Sequence, residues 1–112
     1  MTQIAVHTVL KPGHESEYEQ LHATVPAPLA ARLRLAGVRD WRIWRDGRDL
    51  FHLIDVEDYQ EMRRALAADP VNAEWQALVN PLLAQPDDYS GNDDGLTRLW
   101  SLTTKLNEKD AR

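Results

Sequence analysis

An α+β fold, a single antiparallel sheet covered by helices on one face, follows from three observations on this 112-residue chain. Short runs rich in β-branched residues alternate with longer stretches in which apolar residues return every three or four positions. Glycine, proline and aspartate punctuate the changes between the two patterns. The length suits one domain, residues 1–103, followed by a charged tail, 104–112.

The elements can be justified in chain order. Residues 3–10 (Gln-Ile-Ala-Val-His-Thr-Val-Leu) read as a strand that ends at Lys11-Pro12-Gly13. From His14 to Ala36, Tyr18, Leu21, Val25, Leu29 and Leu33 follow a helical period. Pro26 and Pro28 must break it, since proline lacks the N–H and crowds the preceding turn. Two helical pieces are therefore expected, with His22 in the last turn before the break and Gly37 as the C-terminal cap. Residues 38–46 and 49–57 flank Gly47 and read as an antiparallel hairpin. Alternation puts Trp41 and Ile43 on one face, Arg42 and Trp44 on the other. Helical spacing resumes near Asp58 with Tyr59, Met62, Ala65 and Leu66. Asp69-Pro70 restarts it as a cap followed by an N1 proline, and the last helix carries Val71, Trp75, Leu78, Val79 and Leu82. A polar loop at 85–95 precedes a final strand at 96–103. The order β-α-β-β-α-β is the ferredoxin-like split arrangement.

Composition narrows the function. A formal charge of −5 argues against a nucleic-acid surface. The absence of cysteine excludes a disulfide scaffold and a thiolate nucleophile. No apolar run approaches membrane-span length, so a cytoplasmic location without membrane partners is expected. The chain has no glycine-rich phosphate loop and no metal-ligand spacing; Asp87, Asp88, Asp93 and Asp94 are too irregular for a calcium loop and read as a solvated segment. What remains is Tyr18-Glu-Gln-Leu-His22, where a near-neutral imidazole and an aromatic ring project from one helix face. His22 could equally be a surface histidine and Tyr18 a core residue. His7 and His52 on central strands read as hydrogen-bonded interior or interface groups, and Arg39, Arg42 and Arg45 as a solvated face.

Tyr18-x-x-x-His22, Asp40-Trp41-Arg42-Ile43-Trp44, Phe51-His-Leu-Ile-Asp-Val-Glu57, Asp69-Pro-Val-Asn-x-x-Trp75 and Gln85-Pro86-Asp87, in that order and spacing, resemble the L-rhamnose mutarotase family over residues 3–103. The resemblance implies a homodimer whose two ferredoxin-like sheets meet as an α/β barrel. It also implies interconversion of the α and β anomers of a 6-deoxy hexose, with no cofactor and no metal. His22 falls on the family's proton donor, and Tyr18, Trp41, Trp75 and Gln76 fall on its substrate-binding positions. Trp41 stands where tyrosine is common, and Gln76 where a second tryptophan is usual. Pro26-Ala27-Pro28 replaces a frequent Trp-Pro-Glu, a departure that admits L-fucose or another 6-deoxy sugar as well as L-rhamnose. Trp100 on the last strand is expected to join Trp41 and Trp75 in the wall against which a sugar's C–H face packs. Two other readings stand beside this one: a non-catalytic sugar-binding or interaction dimer, and a monooxygenase of the dimeric α/β-barrel fold.

Overall fold

The computed structural model describes residues 2–103; the tail at 104–112 lies outside the described residues. Strands β1 (Thr2–Val9), β2 (Val38–Asp46) and β3 (Asp49–Val56) form an antiparallel sheet in the order β1-β3-β2. Between β1 and β2 run helices α1 (Glu15–Ala23) and α2 (Ala27–Leu35), and after β3 come α3 (Tyr59–Ala67), α4 (Pro70–Val79) and a 3₁₀ turn, Asn80–Leu82. The α+β class holds, and β1-β3-β2 is the ferredoxin-like order of the first three strands, with two helices filling each helical position.

Local chemistry accounts for these boundaries. Pro26 precedes the first residue of α2, Pro28 lies in its first turn, and α1 ends before both, as the break at the prolines requires. Gly37, at φ +100°, turns the chain out of α2 into β2, a left-handed conformation that an L side chain resists. The Asp58 carboxylate accepts from the Glu61 N–H at 3.0 Å and caps α3. Asp69 does the same for α4 through the Val71 N–H at 2.8 Å, with Pro70 at the first helical position. The β2–β3 hairpin turns at Gly47, and its register sets Ile43 opposite His52 and Trp41 opposite Ile54.

Helices cover one face of the sheet. Val6, Val38, Ile54 and Val56 meet Tyr59, Met62 and Leu66 of α3 in one apolar cluster. Leu10 and Leu50 meet Tyr18, Val79, Leu82 and Leu83 in a second. Each of the fully buried aliphatic side chains here contributes about 1.5–3 kcal/mol. On the outer face Arg42 lies over the Trp44 ring at 5.9 Å and His7 stacks on Phe51 at 5.0 Å. The alternation expected for Trp41, Ile43, Arg42 and Trp44 is thus realised.

The last strand is not. Among the described residues, 96–103 forms no ladder, and the Leu96 N–H donates once to the Ala5 carbonyl of β1 at 2.7 Å. A strand persists where one of its faces is covered. Here the successive residues Leu99 and Trp100 are 92% and 76% exposed, so neither face of the run finds cover. The far end of the same β1 edge is occupied by the chain leaving the 3₁₀ turn, where the Ala84 N–H donates to the Val9 carbonyl at 2.7 Å.

Candidate active site

Residues from both apolar clusters wall a cavity of about 460 Å³ between the helices and the inner face of the sheet, within the ~300–1,000 Å³ usual for small-molecule sites. His22, Tyr18, Trp41, Trp75 and Gln76 all line it. Five residues drawn from three elements thus meet in one space. Trp100 does not, being exposed on a segment that forms no ladder with the sheet.

His22 is held by three contacts. Its Nδ1 lies 2.9 Å from the carbonyl oxygen of Tyr18, one turn back on α1. A carbonyl can only accept, so Nδ1 carries the hydrogen and neutral His22 keeps its basic lone pair on Nε2. The imidazole stacks on the Tyr18 ring at 4.1 Å and meets the Trp75 ring edge-on at 5.2 Å. Burial among these rings lowers the His22 pKa below 6.5, against the backbone bond, which raises it. The group is therefore neutral near pH 7 and ready to accept a proton. Burial, with Asp87 and Tyr89 nearby, pushes the Tyr18 phenol well above its ordinary 10 and keeps it a neutral hydroxyl.

Trp41 is fixed from the sheet. Its indole N–H donates to His52 Nδ1 at 3.1 Å, so the hydrogen of neutral His52 resides on Nε2, which donates to Thr8 Oγ1 at 2.9 Å. Burial pushes His52 down to about 4, so this chain of bonds persists across the neutral range. On α4, Gln76 Nε2 donates to Tyr89 Oη at 3.1 Å and to Asn72 Oδ1 at 3.3 Å. Its Oε1 is buried without a partner.

Several pocket residues escape a reading of the sequence. The loop at 85–95 is docked on α3 instead of solvated: Arg63 donates to Asp87 at 3.0 Å, Tyr59 to Asp93 at 2.9 Å and Gln60 to Asp94 at 2.5 Å. Asp87 and Tyr89 thereby reach the cavity wall, and His52 and Asn72 join them. Arg63, fully buried, lies one turn beyond Tyr59 on the stripe 59-62-63-66, so helical periodicity was the signal that could have found it. Arg39, Arg42 and Arg45 are exposed, as the solvated reading expected, and Arg45 bonds Glu19 of α1 at 2.7 Å on the surface.

Among the described residues no group of three or more histidine, cysteine, aspartate or glutamate side chains is arranged to hold a metal, and no helix is long and apolar enough to cross a membrane. A family model described as L-rhamnose mutarotase matches residues 3–102. An L-rhamnose mutarotase from Paraburkholderia phytofirmans is 33% identical over 89 residues, 78% of this chain and 83% of that protein. Another, from Burkholderia orbicola, is 32% identical over 104 residues, 91% of this chain and 99% of that protein. The crystal structure of an L-rhamnose mutarotase from Formosa agariphila superposes with a TM-score of 0.73 at 19% identity, covering 91% of this chain and 99% of that one. The tetracenomycin F2 cyclase of Streptomyces glaucescens, at 18% identity and a TM-score of 0.58 over 93% of this chain, shares the fold.

Proposed function

The chain belongs to the L-rhamnose mutarotase family, and on that premise we propose that it interconverts the α and β anomers of L-rhamnose with His22 as the proton carrier. The observation that carries this reading is the Nδ1 bond of His22 to the Tyr18 carbonyl, which leaves Nε2 as the exchanging atom on a cavity wall. In the reaction neutral Nε2 takes the proton of the anomeric hydroxyl. The C1–O bond to the ring oxygen breaks as that oxygen receives a proton, and a free aldehyde forms. Rotation about C1–C2 and closure on the other face reverse these steps. Both oxygens are attached to C1, so one imidazole serves them in turn. A positioned acid/base group gives ~10²–10⁴-fold in rate, ample for a reaction that already proceeds in water.

Trp41 and Trp75 supply apolar faces for the sugar's C–H surface, and Tyr18 and Gln76 supply polar contacts for its hydroxyls. The sequence around Pro26-Ala27-Pro28 opens α2, and Val25 and Ala30 line the cavity on either side of it. Small side chains at this wall favour tolerance of a second 6-deoxy hexose such as L-fucose. The chain works without a metal or organic cofactor, and a homodimer packed through the outer sheet face is supported by Trp44 and Phe51, which are half-exposed there. A metabolic isomerase of this kind belongs in the cytoplasm. Neither oxygenase chemistry nor a purely sugar-binding role is favoured by the family assignment.

Exchange NMR on equilibrated L-rhamnose and L-fucose, with His22→Ala in parallel, tests the proposal. Faster anomer exchange on L-rhamnose, lost in the variant, is the expected result. Exchange no faster than buffer on any 6-deoxy hexose overturns the enzymatic reading, and an unimpaired variant removes His22 from the mechanism.

A further inference from the structure

We infer that Asp87 is a second polar anchor of this pocket: its carboxylate accepts hydrogen bonds from ring hydroxyls of the bound sugar, and Arg63 is the positioning residue that fixes that carboxylate in place.

Asp87 is a loop residue, yet its side chain is only 13% exposed and lines the cavity that holds His22. It does not sit there by chance of the loop's path. Arg63 Nη1 donates to Oδ2 at 3.0 Å, the Asp88 N–H donates to Oδ1 at 3.0 Å, and the Asp87 N–H donates to Asn80 Oδ1 at 3.3 Å. Each carboxylate oxygen has about two acceptor sites, and each has one protein donor here, so acceptor capacity is left over. Sugar hydroxyls are donors of the matching kind.

Arg63 holds the carboxylate in place. Its side chain is wholly buried, with the guanidinium 4.5 Å from the Tyr89 ring, 5.1 Å from Tyr59 and 5.5 Å from Trp41. Its Nε donates to Tyr59 Oη at 2.9 Å. Desolvation works against this cation, but Asp87 and the aromatic rings outweigh it and hold it charged. A buried ion pair is a poor way to gain stability, because apolar side chains of the same volume do as well. One whose carboxylate forms part of a cavity wall has a further use available to it. Tyr89 links the two polar groups of this wall, since it stacks over Arg63 and accepts from Gln76, whose unpartnered Oε1 is a second vacant acceptor.

This inference rests on the proposed sugar specificity, and one set of measurements separates the two. Wild type, Asp87→Asn and His22→Ala are titrated with L-rhamnose and with L-rhamnose analogues lacking one ring hydroxyl each, and anomer exchange is followed by NMR. Asp87→Asn is expected to weaken L-rhamnose binding roughly 10- to 100-fold. One analogue that loses affinity on wild type is expected to lose little more on the variant, because its missing hydroxyl is the one Asp87 receives. Equal penalties for every analogue on both proteins, or unchanged L-rhamnose affinity, overturn the Asp87 role while wild-type exchange leaves the mutarotase reading standing. Absence of both binding and exchange in wild type overturns both. If Asp87→Asn does not fold, Asp87→Glu, which keeps a charge for Arg63 while displacing the carboxylate by a methylene, is read by the same analogue series: an unchanged order of preference among the analogues overturns the role.

Discussion

The imidazole of His22 is tied to Tyr18 twice, through Nδ1 to its carbonyl oxygen at 2.9 Å and through ring stacking at 4.1 Å. One contact sets the tautomer and the other sets the plane, so Nε2 is aimed before any sugar arrives. Pre-aimed groups contribute to rate and little to ground-state affinity. His22→Asn is accordingly expected to lower kcat by ~10²–10⁴-fold while KM and melting temperature stay near wild type. Saturation-transfer NMR against sugar concentration, paired with a thermal melt, gives all three quantities.

Tyr18→Phe separates the two jobs of that residue. The ring and the backbone carbonyl remain, so His22 keeps its aim and kcat should hold within about threefold. Only the hydroxyl's contact with the sugar disappears, and KM should rise ~2- to 10-fold, the span of one neutral hydrogen bond. A kcat collapse with unchanged KM would instead make the phenol a partner in proton transfer.

The pH profile follows from burial of His22. As a base it must be neutral, so kcat/KM should be constant near pH 7 and fall only as pH drops through a value below 6.5. Trp75→Ala opens the edge-on contact at 5.2 Å to water. Removing that desolvation should move the acid limb of the profile upward, toward 6.5. A profile whose limb stays put in Trp75→Ala would assign the limb to another group.

His52 gives the fold its own pH dependence. Burial holds its pKa at about 4 against an ordinary 6.5. Between these values the unfolded chain binds a proton that the folded one refuses, so this contribution is complete above pH 6.5 and is lost as pH falls toward 4. The slope from one such group is at most about 1.4 kcal/mol per pH unit. Urea melts of wild type and His52→Gln at several pH values should show a shallower acid decline in the variant.

Much of this was legible in the sequence, for reasons that also mark its limit. The Pro26–Pro28 break, the Asp58 and Asp69 caps and the strand alternation of Trp41 and Ile43 are local chemistry, decided by neighbours in the chain. Tyr18 and His22 share a face of α1, so spacing groups them, whereas Trp75 and Gln76 are neighbours in the chain and are singled out only by the family resemblance. Asp87 and Arg63 are 24 residues apart, and only the docking of the loop on α3 brings them together. The expected last strand fails to form for the same reason. Residues 96–103 have strand-forming composition, but whether a strand forms depends on which face is covered, and among the described residues Leu99 and Trp100 have no cover.

The outer sheet face supports a prediction about assembly. Phe51 of β3 and Trp44 of β2 are register partners, 42% and 54% exposed, with Leu53 beside Phe51 on the same face. Aromatic side chains exposed together on a sheet are the material of an interface core. The cavity that holds His22 lies on the opposite side of the same sheet, lined by Trp41, Ile43 and His52, whose side chains alternate with these. Placing a charge in the outer patch should therefore break association without touching the pocket wall. Phe51→Glu combined with Trp44→Glu is expected to convert a dimer into a monomer in sedimentation equilibrium at micromolar concentration, with sugar affinity within about threefold of wild type. A wild-type protein that sediments as a monomer would remove the dimer. A monomeric variant that has lost its sugar affinity would instead show that the second subunit completes the pocket.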